Sequence, residues 1–347
     1  MLWERVRDLP LLVEGYRLEK LDGNELYGFD RITTQYRLFG GGTEGVGEDV
    51  GLFDENSEKL HALGPYLDLA GSWTLGSFVE HLATVDQWTV APPEWEMARA
   101  WRNWAFESAA LDLALRQAGE TLPSVVGRPV APLRFVNSLG LGDPASSDGI
   151  ARRVAANPSV GFKLDAAPDW TSSIVSELVE LGCVATVDFK GRYGLPVEDE
   201  AALIAMYRVV LASFPDALFE DPHELEEVEA LLEPVRDRLS FDAPIHRVGD
   251  ITTRTINVKP SRIGGLRPLF EIYEWCAANG VAMYGGGMGE LGIGRGQIEL
   301  LAAVFHPDTP NDVAPSAFNA AELVDGLPGS PLVLDGLVPG FRWGYET

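Results

Sequence analysis

No apolar run approaches the roughly 18 residues that a membrane-spanning helix needs, so no span is expected. Cysteine is scarce: Cys183 and Cys276 lack metal-ligand spacing and are expected to be free, buried thiols in a reducing compartment. Basic residues are few, with 27 Lys and Arg against 52 Asp and Glu, a net charge of −25. That balance argues against nucleic acid or an anionic membrane as a partner. The first residues, MLWERVRDLP, show neither a basic segment nor a long apolar core, so no secretory leader is expected and the location is read as cytoplasmic. Low-complexity tracts and short repeats are also missing.

What is present is ordinary in bulk and ordered in pattern. Hydrophobic residues make up 46% and charged residues 23% of 347 positions, enough for a large core in one or two α/β domains. Residues 11–50 read as β-hairpins, with strands at 13–18, 31–39 and 43–48 and a turn at Gly40-Gly41-Gly42. From 56 to 117 the pattern is helical; its best segment runs from Trp95 to Gln117 and stops at Gly119. An all-β start followed by a helical block suggests an α+β unit. After about residue 130 strand-then-helix units repeat. Strands are expected at 134–139, 160–165, 184–190, 218–220, 239–242, 255–259 and 281–284. Such repeats require parallel strands, and so many units in so little chain favour a barrel.

The strand ends carry the chemistry. In order they present Lys163 and Asp165, Asp188 and Lys190, Glu220 and Asp221, Asp242, and Lys259. Strand side chains alternate, so Lys163 shares a face with Asp165, and Asp188 with Lys190. One such carboxylate alone is usually a strand-end cap or a surface ion pair. Asp188, Glu220 and Asp242 on successive strands could instead converge on one hard divalent cation such as Mg2+. A lysine beside them could deliver or remove a proton.

These motifs, taken in order, resemble the enolase superfamily, in its muconate-lactonizing and o-succinylbenzoate-synthase-like branch (the mandelate racemase/muconate lactonizing enzyme family). Gly45-Val46-Gly47-Glu48 resembles a cap strand, and Glu107 to Leu113 with Leu122 to Gly127 resembles the A-x-x-D-L helix region. Val187-Asp188, Phe219-Glu220-Asp221-Pro222 and Asp242 look like the metal-ligand strand ends. Asn257-Val-Lys259-Pro-Ser-Arg262-Ile-Gly264-Gly265 is the most specific match; Gly289-Glu290 with Gly292 to Arg295, and Leu337 to Gly340, follow in order.

The resemblance implies a modified TIM barrel, (β/α)7β, with an N-terminal α+β capping domain. It divides the chain into a cap at 1–128, a barrel at 129–325 and a C-terminal return at 326–347. The implied activity is abstraction of the proton α to the carboxylate of a small acid, dependent on Mg2+ or Mn2+. Asp188, Glu220 and Asp242 would bind the metal, Lys259, Lys163, Lys190 and Asp165 would be catalytic, and Glu290, Gly289 and Arg262 would contact substrate. A homo-oligomer is also implied by the likeness.

The chain departs from the family at chosen places. The second strand usually reads K-x-K and here reads Lys163-Leu164-Asp165; the third usually reads D-x-N and here reads Asp188-Phe189-Lys190. A lysine lost on one strand and gained on the next would let Asp165 and Lys190 pair. Lys190 is then either a relocated base or a salt bridge that closes the metal site, making a metal-free ligand- or partner-binding scaffold the rival reading. Asp242 is followed by Ala243, where the family is usually acidic. Only 17 residues separate Asp242 from Lys259 (259 − 242), so the fifth crossover helix is expected to be clipped. With one lysine replaced by Asp165, elimination (dehydration) is slightly favoured over racemisation or cycloisomerisation. A dinucleotide reading of Gly287-Met-Gly289-Glu-Leu-Gly292 lacks the remaining chain such a domain requires. Arg295 is read as a structural group beside a glycine turn, and Trp101 and Trp104 as core.

Overall fold

Alternating residues of the first fifty positions pair as antiparallel ribbons in the computed structural model, which describes residues 1–26, 29–51, 57–89, 92–93, 95–320 and 324–344. A one-turn helix α1 (Leu2–Val6) and strand β1 (Pro10–Val13) lead into β2 (Gly15–Leu26), β3 (Phe29–Gly40) and β4 (Thr43–Asp49), a meander in the order β2-β3-β4. The stretch expected to be wholly helical holds α2 (Ser57–Leu63), α3 (Leu75–Leu82) and α4 (Met97–Ala118), but also β5 (Gly71–Thr74), which pairs antiparallel with β1. Those four residues are too few to show a period of two.

Helix α4 lies directly on β4. A Cβ at Gly45 would fall 2.2 Å from Leu113 N, and one at Gly47 would fall 2.0 Å from Ala105 O. The G-x-G of that strand is therefore a contact requirement: only glycine lets the helix backbone approach. Helix α4 ends at Gly119, which takes the left-handed conformation at φ 68°, and α5 (Leu122–Val126) follows.

Seven parallel strands in sequence order then build the barrel: β6 (Val136–Gly140), β7 (Gly161–Asp165), β8 (Val184–Asp188), β9 (Leu218–Glu220), β10 (Leu239–Phe241), β11 (Thr255–Val258) and β12 (Ala282–Gly285). Between them run α6 (Asp148–Ala156), α7 (Ser172–Leu181), α8 (Glu200–Ser213), α9 (Glu226–Leu232), α10 (Pro260–Ile263) and α11 (Leu266–Asn279), and α12 (Ile293–Phe305) follows β12. Between β10 and β11 there is only a 3-10 turn, Val248–Asp250, as the short spacing predicted. The eighth strand is reduced to two bridges. Asn311 pairs with Phe135 ahead of β6 and Asp312 with Gly286 beyond β12, both parallel, which brings the two sheet edges together. No helix among the described residues is long and apolar enough to cross a membrane.

Three buried carboxylates fasten the cap, two of them to the barrel and one to the C-terminal return. Glu48, at the end of β4, accepts N–H bonds from Leu291 (2.6 Å), Gly292 (3.0 Å) and Gly294 (2.9 Å), capping the start of α12 from outside its own chain segment. Glu107 on α4 accepts from Leu266 N at 2.7 Å at the start of α11; burial pushes its carboxyl up to about 7. Asp112 on α4 holds Val46 N (2.9 Å), Phe341 N (2.7 Å) and the Arg342 guanidinium, which ties the C-terminal return to the cap.

Glu299 on α12 is the opposite case. Both carboxyl oxygens are buried without a hydrogen-bond partner, and burial pushes the group from its usual 4.5 up to about 8, with Arg295 opposing. The unfolded chain loses this proton near 4.5 while the folded chain keeps it to about 8, so stability must fall as pH rises through that window. Glu299→Gln is therefore expected to stabilise the protein by about 2 kcal/mol at pH 8.5, with the difference vanishing near pH 4. Denaturant titration of both proteins at the two pH values checks this; an equal difference at both would refute it.

Candidate active site at the mouth of the barrel

Each strand delivers its polar end to the same opening because parallel strands of one barrel share a direction. Register places Asp165 beside Asp188, and Asp188 beside Glu220. Lys163 (second strand) and Lys259 (after the sixth) lie on opposite sides of the mouth by strand order. A cavity of about 230 Å³ opens there. It is lined by Lys163, Lys190, Lys259, Arg262 and Arg295 from the barrel and by Arg31 from β3 of the cap, with Asp165 and Asp312 as its acidic residues. Six of the 27 basic residues of a strongly acidic chain thus surround one cavity.

The expected metal-ligand side chains are brought close but lie beneath that cationic lining. Asp188, Glu220 and Asp242 are each 0% exposed. Lys163 Nζ donates to Glu220 Oε1 and stands 3.1 Å from Asp188 Oδ2 and 3.5 Å from Asp312 Oδ2. Lys190 Nζ lies 2.6 Å from Asp188 Oδ2 and 3.2 Å from Asp165 Oδ1, so the exchanged lysine and aspartate do pair. Asp242 receives Arg262 Nη1 on Oδ1, and Lys259 Nζ and the Tyr193 hydroxyl on Oδ2, each at 2.9 Å. Glu220 Oε2 accepts from the Tyr284 hydroxyl and, at 3.4 Å, from Asn257 Nδ2.

Electrostatics follow from these contacts. Burial pushes Asp188 and Asp242 up, but their lysine and arginine partners outweigh it and hold both carboxyls well below the usual range. Burial, then the carboxylates Asp188 and Asp242, leave Glu220 well above its usual value despite Lys163. For Lys163 and Lys190 burial disfavours the charge, yet the surrounding carboxylates prevail and raise both well above an ordinary lysine. Both are therefore ammonium groups near neutral pH, and a base role for Lys190 is not what its surroundings favour.

Among the described residues, Glu220, Asp221 and Asp242 carry oxygens within 4.8 Å of one another, a spacing that could hold a metal ion. Asp221 stands there in place of Asp188, and its oxygens accept the backbone N–H groups of Asp242 (2.9 Å) and Ala243 (2.8 Å). The spacing suits a divalent ion, but the partners of those oxygens do not. Both oxygens of Asp242 and both of Asp188 already face N–H or O–H donors, most of them cationic. As they stand, the residues do not present a ligand set for Mg2+.

The substrate-binding residues expected from sequence divide. Arg262 lines the cavity, and its Nη2 donates to the Tyr193 hydroxyl at 3.1 Å. Gly289 lines it too, with φ 101°, under the Arg31 side chain. Glu290 turns away: it is buried, accepts from Ser261 Oγ at 2.8 Å and from Met288 N at 3.0 Å, and so pins the loop after β12. Arg295, read from sequence as structural, lines the cavity. Tyr193, Tyr284, Asp312 and Arg31 were not legible as site residues, since none belongs to a spaced motif. Trp101 and Trp104 are core, Cys276 is buried, and Cys183 is half-buried.

The family described as domain of unknown function (DUF8230) matches this chain twice, by its N-terminal domain over residues 4–125 and its C-terminal domain over residues 129–320. An o-succinylbenzoate synthase of Geobacillus stearothermophilus is 24% identical over 224 residues, 61% of this chain and 58% of that protein. An o-succinylbenzoate synthase of Listeria innocua is 33% identical over 102 residues, 27% of each. The chain thus spans less than two thirds of the length of both relatives. Among solved structures, the dipeptide epimerase of Methylococcus capsulatus complexed with Mg ion superposes with a TM-score of 0.70 at 19% identity, covering 97% of this chain and 100% of that one. Muconate cycloisomerase of Pseudomonas fluorescens gives 0.65 at 17% identity, covering 97% of each.

Proposed function

We propose, from the premise that this chain belongs to the DUF8230 family and is a divergent member of the enolase superfamily, that it is an enzyme removing the proton α to the carboxylate of a small acid. The observation that carries this reading is the pair of lysines, Lys163 and Lys259, opposed across a cavity lined by six basic side chains. In this reading residues 1–128 cap a barrel at 129–325, and residues 326–347 return to the cap.

A substrate carboxylate entering the cavity meets fixed ammonium and guanidinium groups, which replace the water it leaves behind. The Arg262 guanidinium and the Lys163 and Lys190 ammonium groups are held in place by carboxylates beneath them. Loss of the α-proton places a second negative charge on the carboxylate, and preorganised cations stabilise that charge without reorganising. Lys259 is the acid–base group. With Asp165 and an ammonium Lys190 on the other side, one face of the substrate has a proton acceptor, which favours syn elimination, a dehydration, over racemisation. Magnesium and manganese have no step in this scheme, because the carboxylates that would hold them are engaged by those cations.

The test is to incubate the full chain in D2O with a panel of small carboxylates and follow the α-proton by NMR. Exchange or turnover of at least one acid is the expected result. A second reading, a ligand-binding scaffold without catalysis, draws on the Lys190 contacts to Asp188 and Asp165. Carboxylate binding with no exchange across the panel would replace the first reading with that one.

A further inference from the structure

Position in the barrel makes Asp188 and Asp242 natural cation ligands, yet each has been given a protein cation of its own. Lys190 wraps back on Asp188 from two residues away: its N–H donates to Oδ1 at 3.0 Å and its Nζ reaches Oδ2 at 2.6 Å. The wrap requires φ 55° at Lys190, a left-handed conformation that costs a non-glycine residue about 1 kcal/mol. Arg262 reaches Asp242 with one guanidinium nitrogen and Tyr193 with the other. The next residue after Asp242 is Ala243, so no carboxylate there competes for Arg262. An ion on its way to Asp188 or Asp242 would meet ammonium and guanidinium groups first, since these line the cavity and those two carboxylates do not.

We infer that this barrel mouth carries its positive charge in Lys190 and Arg262, and that it takes up no divalent ion while those two side chains hold Asp188 and Asp242. The chemistry is a direct competition. A divalent ion needs bare oxygen lone pairs at about 2.0–2.6 Å. It cannot share Asp242 with the Arg262 guanidinium, because at about 4 Å even two unit charges repel by several kcal/mol near a protein surface. The exchange of Lys and Asp between the second and third strands then makes sense as a unit: the cation that left the second strand as Asp165 re-enters from the third as Lys190, and Asp165 becomes one of its partners. The inference concerns the ion and not the reaction, so it stands or falls apart from proton abstraction.

The experiment titrates Mn2+ into the full chain and reads free Mn2+ by electron paramagnetic resonance, with no substrate present. Wild type is expected to bind no Mn2+ below about 1 mM. The double variant Lys190→Ala/Arg262→Met frees Asp242 Oδ1 and takes one of the two lysines off Asp188 Oδ2, leaving Lys163 and Lys259 in place, and is expected to tighten binding by about ten-fold or more. Lys190→Gly is the second variant. It keeps the left-handed turn, relieves its strain, and takes the Lys190 side chain off Asp188 while Arg262 stays on Asp242, so it is expected to fold and to show the same direction of change. Stoichiometric wild-type binding at micromolar Mn2+, weakened by Asp242→Asn, would overturn the inference. So would unchanged binding in the folded Lys190→Gly protein.

Discussion

Lys259→Met is expected to lower α-proton exchange by about 10²- to 10⁴-fold while the variant still binds carboxylate ligands. The magnitude is that of a positioned general acid–base group. The separation of exchange from binding comes from the cavity itself. Five other basic side chains, Arg31, Lys163, Lys190, Arg262 and Arg295, remain around it when Lys259 is lost. The fold is also expected to tolerate the change. Asp242, relieved of Lys259, keeps Arg262 on Oδ1 and the Tyr193 hydroxyl at 2.9 Å on Oδ2. Methionine fills nearly the same volume and supplies no proton. The check is the exchange rate by NMR beside ligand affinity by calorimetry, both on the folded variant. Equal loss of the two would make Lys259 a binding residue, and unchanged exchange would remove it from the chemistry.

Asp112→Ala is expected to cost about 3–5 kcal/mol of stability, the largest effect foreseen outside the barrel mouth. Asp112 is fully buried and joins three parts of the chain at one carboxylate. It accepts Val46 N from β4 at 2.9 Å and Phe341 N from the C-terminal return at 2.7 Å, and its Oδ2 pairs with Arg342. Truncation leaves the Arg342 guanidinium, 8% exposed, without its anion, and two backbone N–H groups without acceptors. The penalty is therefore that of stranded donors more than of a lost attraction. Urea denaturation of wild type and variant measures it; a loss below about 1 kcal/mol would mean that the return detaches and solvates its own groups.

The repeated units of the barrel were legible because each strand and helix carries its own period. The strands at Gly161–Asp165 and Leu218–Glu220 and the clipped connection before β11 fell where spacing placed them. The elements that escaped reading have no local period. Strand β5 has four residues, and the eighth barrel strand consists of bridges at Asn311 and Asp312 that exist only because two distant sheet edges meet there. The same division runs through the site. Lys163, Asp165, Asp188, Lys190, Glu220, Asp242 and Lys259 could be named from strand ends. Apart from the Asp165–Lys190 pair, their partners could not be named.

Sequence by itself determined that polar groups would gather at one end of a parallel barrel, because direction and alternation along a strand are local properties of the chain. It also determined that Lys190 and Asp165 would have the opportunity to pair. Tertiary structure alone decided which charge neutralises which. That choice depends on distances between strands, and it turned Arg262 onto Asp242, gave Asp188 to two lysines and placed Asp221 beside Asp242. Coulomb energy varies with separation in space and not along the chain, so spacing could raise the Lys190 salt bridge as one of two readings but could not disclose that Arg262 and Lys163 also take up the carboxylates.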